Sequence, residues 1–168
     1  VKKLIATAAL LMMVSANLSA QNADPQHRGQ GYLFLGVGSG TDLPSFEHVG
    51  GGGEVLLFRG LGVGGELGAM GRPGEGVGVF SIDASYHFLH VRGRPKLVPF
   101  VEGGYTRTFG NKGFTLSENL FNFGGGIHYW VFNRVGLRLE FRDYVAHEHF
   151  FVGVTDQYWG LRVGLALR

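Results

Sequence analysis

Val135-Gly136-Leu137-Arg138-Leu139-Glu140-Phe141-Arg142 is the stretch that decides the fold. Val135, Leu137, Leu139 and Phe141 alternate with Gly136, Arg138, Glu140 and Arg142. A strict period of two sends one set to each face of a sheet, so the segment reads as a strand with one greasy face and one charged face. The segments around it follow the same rule. In 157–168, Trp159, Leu161, Val163, Leu165 and Leu167 oppose Gly160, Arg162, Gly164 and Ala166. In 119–131, Phe121, Phe123, Gly125, Ile127 and Tyr129 oppose Asn122, Gly124, Gly126 and His128, and in 76–88, Phe80, Ile82, Ala84, Tyr86 and Phe88 oppose Ser81, Asp83, Ser85 and His87.

Extended over the chain, the pattern predicts eight strands: Gly31–Gly38, Val49–Phe58, Leu61–Met70, Gly76–Phe88, Leu97–Thr108, Asn119–Val131, Val135–Tyr144 and Gln157–Arg168. Several run longer than the roughly 5–6 residues of an ordinary strand and match the about 9–11 residues that a tilted strand needs to cross a bilayer. The connections alternate in length. Arg59-Gly60, Leu89–Lys96 and Phe132-Asn133-Arg134 are on one side; Ser39–His48, Gly71–Glu75, Phe109–Glu118 and Val145–Asp156 are on the other. That asymmetry fits periplasmic turns and extracellular loops.

The character of the polar face chooses the environment. A soluble sandwich or small barrel buries its apolar face and covers the other with Lys, Glu and Thr. Here the non-apolar face is mostly glycine with isolated charges, which suits the narrow interior of an eight-stranded barrel. The 30 glycines serve that geometry, and the 14 Phe, 6 Tyr and 2 Trp between them argue against low-complexity disorder. The expected fold is therefore all-β: an eight-stranded antiparallel transmembrane β-barrel, an up-and-down meander, with its apolar face toward lipid.

The N-terminus reads as a signal peptide over 1–20. Lys2 and Lys3 precede an apolar run from Leu4 to Val14, then Ser15-Ala16-Asn17-Leu18-Ser19-Ala20, with cleavage expected after Ala20. A short periplasmic lead-in over 21–30 precedes the barrel domain, 31–168. The chain has 15 Lys+Arg and 13 Asp+Glu. Loss of Lys2 and Lys3 brings the counts level, so the basic balance does not point to nucleic acid. With no cysteine, disulfides, thiolate metal sites and a thiol nucleophile are excluded.

Phe121-Asn122-Phe123-Gly124-Gly125-Gly126-Ile127-His128-Tyr129 and Gly136-Leu137-Arg138-Leu139-Glu140-Phe141-Arg142-Asp143-Tyr144 resemble the closing half of small outer-membrane barrel proteins. That broad group takes in the OmpA-type transmembrane domain and the OmpX and OmpW barrels. The resemblance implies the cell outer membrane as location, lipid and lipopolysaccharide as surroundings, and the barrel-assembly machinery as partner. Those proteins commonly end in an aromatic residue, whereas this sequence ends Leu165-Ala166-Leu167-Arg168.

Alternation points Glu54, Glu66, Asp83, Glu102, Glu140, Arg138, Arg142 and Arg162 into the lumen. Isolated charges in a dry interior are very costly and paired ones are tolerated, so an Arg–carboxylate network that plugs the barrel is expected. Phe88, Tyr105, Phe121, Tyr129, Phe141 and Trp159 are candidates for aromatic girdles near the two interfaces. The expected role is non-enzymatic: envelope integrity or adhesion through surface loops, with an extracellular ligand left open. One alternative is a porin-like narrow pore or a conduit for small hydrophobic molecules. The other is a lipid A-modifying enzyme, since lipid A deacylases share this architecture and carry a His-x-Ser-Asn stretch. Neither His128-Tyr129-Trp130 nor His147-Glu148-His149 supplies that Ser, and Ser85 with His87 is too common a pair to serve alone. His147-Glu148-His149 has metal-ligand chemistry, but a short loop cluster of this kind is usually solvated. Gly50–Gly53 and Gly62–Gly65 lack the Lys-Ser/Thr ending of a phosphate loop. No catalytic residue, metal or cofactor is expected.

Overall fold

The computed structural model describes residues 29–41, 45–72, 75–89, 96–110, 119–146 and 157–168. The expected signal peptide over 1–20, most of the expected lead-in over 21–30 and His147-Glu148-His149 lie outside the described residues. Among these residues the chain forms eight strands: β1 (Gly29–Gly40), β2 (Phe46–Phe58), β3 (Leu61–Arg72), β4 (Glu75–His87), β5 (Leu97–Gly110), β6 (Asn119–Trp130), β7 (Val135–Ala146) and β8 (Gln157–Leu167).

Each strand pairs antiparallel with its neighbour in sequence, and β1 pairs with β8 from Gly31↔Leu167 to Gly40↔Tyr158. The sheet is a closed barrel in up-and-down order. Closure removes the two free edges that an open sheet would present for aggregation, and satisfies the strand backbones internally, as a bilayer requires.

Several strands run past their expected ends. β1 begins at Gly29 and continues to Gly40, because Ser39 and Gly40 find ladder partners in Trp159 and Tyr158. β2 begins at Phe46, since Phe46, Glu47 and His48 pair with Gly38, Val37 and Gly36. β4 and β6 stop one residue early, at His87 and Trp130, where Phe88 N–H turns to the Pro99 carbonyl at 2.9 Å and Trp130 N–H to the Lys96 carbonyl at 2.8 Å.

The β2–β3 turn is the tightest described connection. Arg59 and Gly60 take φ of 47° and 93°, the pair of positive values that a two-residue hairpin of matching twist requires. Gly60 has a second constraint: a Cβ there would run into the His87 carbonyl, and the Gly60 carbonyl accepts a 2.7 Å bond from His87 N–H. Just before the turn the β2–β3 register shifts between Leu56 and Phe58, a bulge at Leu57.

Alternation places the greasy set outside. Leu33, Leu35, Val37, Phe123, Leu137, Leu139, Leu161, Val163 and Leu165 are all exposed, with Leu139 at 57% and Val163 at 52%. Apolar residues of this size cover the outer wall over all eight strands, far beyond the few hundred Å² of apolar patch on a typical water-soluble monomer. The wall is built to meet hydrocarbon.

The lumen is stratified. At the loop end Phe46, Met70, Val79, Leu120, Tyr144 and Ala146 form one apolar layer. At the turn end Tyr32, Phe34, Val98, Trp130 and Ala166 form another. The arginines and most of the carboxylates lie between them, and Glu54 lies toward the turn end, paired with Gln30.

Candidate functional site

Arg142 is the centre of the lumen and is fully buried. Its Nη1 donates to Asp83 Oδ2 of β4 at 3.0 Å, its Nη2 to Glu102 Oε1 of β5 at 2.5 Å, and its Nε to Glu140 Oε1 of its own strand at 2.9 Å. Glu66 Oε2 of β3 stands 3.6 Å from Nη2. One guanidinium thus faces four carboxylates from four strands, and crosses the lumen to do it. Small residues on the same inner face make room, Gly104 on β5 and Gly124 and Gly126 on β6 among them.

Arg162 on β8 grips Glu66 with both terminal nitrogens, at 2.5 and 3.1 Å, and also donates to Glu140 Oε1. The fork-to-carboxylate geometry is the strong form of this bond. Arg138 completes the layer, with Nε to Glu140 Oε2 at 2.7 Å, Nη2 to Glu102 Oε2 at 2.9 Å and Nη1 to His128 Nε2 at 3.0 Å. Because an Arg nitrogen can only donate, His128 Nε2 is the acceptor and its ring proton sits on Nδ1. Aromatic faces flank two of the three cations. Arg138 lies between Tyr32 and Phe100, 4.2 Å from each ring centre, and Arg162 lies 4.1 Å from that of Phe34. Tyr32 also donates its hydroxyl to Glu66 Oε2 at 3.1 Å.

Asp83 is tied on its other side. Asn122 Nδ2 donates to Asp83 Oδ1 and to Thr106 Oγ1, both at 2.8 Å, and Thr106 meets Ser81 at 2.8 Å. Burying ions costs several kcal/mol each, and this layer offsets that cost by giving every carboxylate a cationic or amide donor.

All eight charged residues expected in the lumen are there, but they divide. Glu66, Asp83, Glu102, Glu140, Arg138, Arg142 and Arg162 form one network. Glu54 stands apart, nearer the turn end, and accepts from Gln30 Nε2 at 2.6 Å, from Ser85 Oγ, and from His87 Nε2 at 2.8 Å. Ser85 and His87 therefore meet on the same carboxylate oxygen, not on each other. A nucleophile needs its base within hydrogen-bond reach; here the arrangement is a satisfied acid.

Tyr32, Phe34 and Phe100 are the contributors that sequence reading passed over. On β1 the inward set Tyr32, Phe34, Gly36 and the outward set Leu33, Leu35, Val37 are both apolar, so the alternation alone does not say which is inside. The glycines of the inward set were the available signal.

The six aromatics proposed for the interfaces all face outward. Phe88, beside Tyr86 in an edge-to-face contact of 5.1 Å, and Tyr129 lie at the turn end. Tyr105 is opposite Phe121 and donates to Asn119 Oδ1 toward the loop end. Phe141 lies away from both strand ends and not at an interface: it pairs with Gly125 in the middle of β6, and stacks on Trp159 at 6.3 Å. Asp143 is unexpected. It occupies an outward register position between Phe123 and Trp159, is 5% exposed, and accepts from Gln157 Nε2 at 2.5 Å. Among the described residues no group of three His, Asp or Glu is arranged to hold a metal ion.

Similar solved structures place this architecture. The N-terminal β-barrel domain of Pseudomonas aeruginosa OprF superposes with a TM-score of 0.59 at 17% identity, covering 84% of this chain and all of that domain. Neisserial surface protein A gives 0.60 at 14% identity over 88% of this chain and 99% of its own. The outer membrane protein OprG from Pseudomonas aeruginosa gives 0.53 at 9% identity over 86% and 98%. At these identities the likeness is one of fold. No protein-family model and no curated protein sequence matches the chain.

Proposed function

We propose that this chain is a non-enzymatic barrel of the outer membrane, exported on a cleaved leader over 1–20, whose closed lumen makes it a structural and surface-presenting protein. The observation that carries the reading is the sealed charge layer. Arg138, Arg142 and Arg162 are bound to buried carboxylates, with an apolar layer above and another below. A conducting lumen needs wet, loosely held charges. These are buried, and each is engaged by several partners.

The outer wall supports outer-leaflet lipopolysaccharide and membrane lipid as surroundings, and assembly by the barrel-insertion machinery. Adhesion or envelope integrity is the role left to a barrel that neither conducts nor catalyses. The shared oxygen of Glu54 between Ser85 and His87 supports the absence of a hydrolytic step.

Purified protein refolded into planar bilayers tests the closed lumen: the expected record shows no steady unitary current, and a sustained charge-selective conductance contradicts it. Location is tested on membrane fractions. The protein stays with outer membrane through carbonate extraction and changes mobility on boiling; release by carbonate contradicts the assignment.

A further inference from the structure

A cavity of about 260 Å³ opens at the loop-end rim of the β1–β8 seam, lined among the described residues by Gly40, Thr41, Gln157 and Trp159. Two hydrogen bonds tie Thr41 to Gln157: Thr41 N–H donates to the Gln157 carbonyl at 3.1 Å, and Gln157 N–H to the Thr41 side-chain Oγ1 at 3.4 Å. On one side Trp159 stands out from the wall, 44% exposed and stacked on Phe141. Behind Gln157 lies Asp143, whose Oδ2 holds the Gln157 amide while none of the described residues donates to its buried Oδ1.

A carboxylate on the outer wall of a membrane barrel is expensive and marks a functional site by default. The neighbouring outward positions of β7, Phe141 and Val145, are apolar, and the lumen network closes without it. An unpaired carboxylate oxygen asks for a donor, which excludes phosphate and other anions as ligands. An exposed indole asks for a flat, weakly polar face. An amide carbonyl and a hydroxyl add further acceptors and a donor. The volume falls just below the usual range of small-molecule pockets, enough for one ring.

We propose that this rim cavity binds a single neutral or amino-sugar ring. The ring packs its C–H face on Trp159, and its hydroxyl or ammonium groups meet Thr41, Gln157 and, once the exposed Gln157 side chain swings aside, Asp143. The assignment names a ligand class for the surface role above, and it stands or falls separately from lumen closure, because the site is on the outer wall. The same chemistry is offered by the headgroup of a membrane glycolipid and by a free glycan.

The test uses the full chain with Trp130→Phe, which leaves Trp159 as its one tryptophan. Methyl glycosides of glucose and glucosamine are titrated against the protein in detergent. The same protein is then reconstituted in nanodiscs with or without a glucosamine-based glycolipid. A saturable change in Trp159 fluorescence is expected, weakened about tenfold or more by Asp143→Asn and by Gln157→Ala. A response to the free glycosides assigns the site to soluble glycans, and one confined to the glycolipid nanodiscs assigns it to the membrane. Calorimetric titration of the unaltered chain gives the same answer if Trp130→Phe fails to fold. No response to any sugar in either setting overturns the proposal. So does an equal response to phosphatidylglycerol alone, or affinity unchanged in both variants.

Discussion

The lumen and the outer wall are made of alternate residues of the same strands, yet they solve opposite problems. On β7, Arg138, Glu140 and Arg142 are buried and bound on every side, whereas Leu137, Leu139 and Phe141 one residue away are exposed and have no polar partner to find. Inside, each residue is held by specific geometry, because an unpaired ion between two apolar layers is very costly. Outside, any apolar side chain of roughly the right size serves. The lumen should therefore be intolerant of changes in charge or volume, and the lipid-facing wall intolerant chiefly of added charge.

The largest effect is expected at Arg142. Arg142→Leu leaves Glu66, Asp83, Glu102 and Glu140 without their shared cation. A loss of about 3–5 kcal/mol, the usual cost of breaking a buried pair, should appear as a lower urea midpoint in lipid vesicles. An unchanged midpoint would mean that the layer is wet. Next is the mirror change on the wall. Leu139→Arg, at a position paired with Ile127 and Val163, should cost about 2–4 kcal/mol in the same assay. Leu139→Phe should cost little, and a large loss there would show that the wall is packed as tightly as the lumen.

Glycines sharpen the contrast further. Gly126 faces the lumen, and a Cβ there would meet the Leu139 carbonyl, with Glu140 Cα and Phe100 Cζ each at 2.9 Å. Gly126→Ala should cost about 1–3 kcal/mol by overpacking. Gly65 faces outward, with nothing nearer than the Ser81 carbonyl at 3.7 Å. Gly65→Ala should stay within about 0.5 kcal/mol of the parent. Equal effects at the two glycines would remove the distinction between the faces.

The sequence made some of this legible and not the rest, for a physical reason. A period of two fixes which residues share a face, so the inward set Glu66, Asp83, Glu102, Glu140, Arg138, Arg142 and Arg162 is legible in the sequence. Who meets whom depends on strand register and on reach across the lumen. Arg142 meets Asp83 on a strand three places away in the sheet, and Glu54 leaves the arginines for His87. The inward aromatics of β1 were hidden because both of its faces are apolar. Asp143 was visible as a charge at an outward position, but its burial beside Gln157 and Trp159 follows from the β7–β8 pairing alone.

The most direct test is the accessibility of nitroxide labels at Leu139 and Val163, cross-strand partners on the outer wall. In the membrane-reconstituted protein, collisions with dissolved oxygen should dominate at both sites, and collisions with a water-soluble nickel chelate should be nearly absent. Labels open to the nickel chelate, or shielded from both reagents inside a water-soluble protein, would contradict the account.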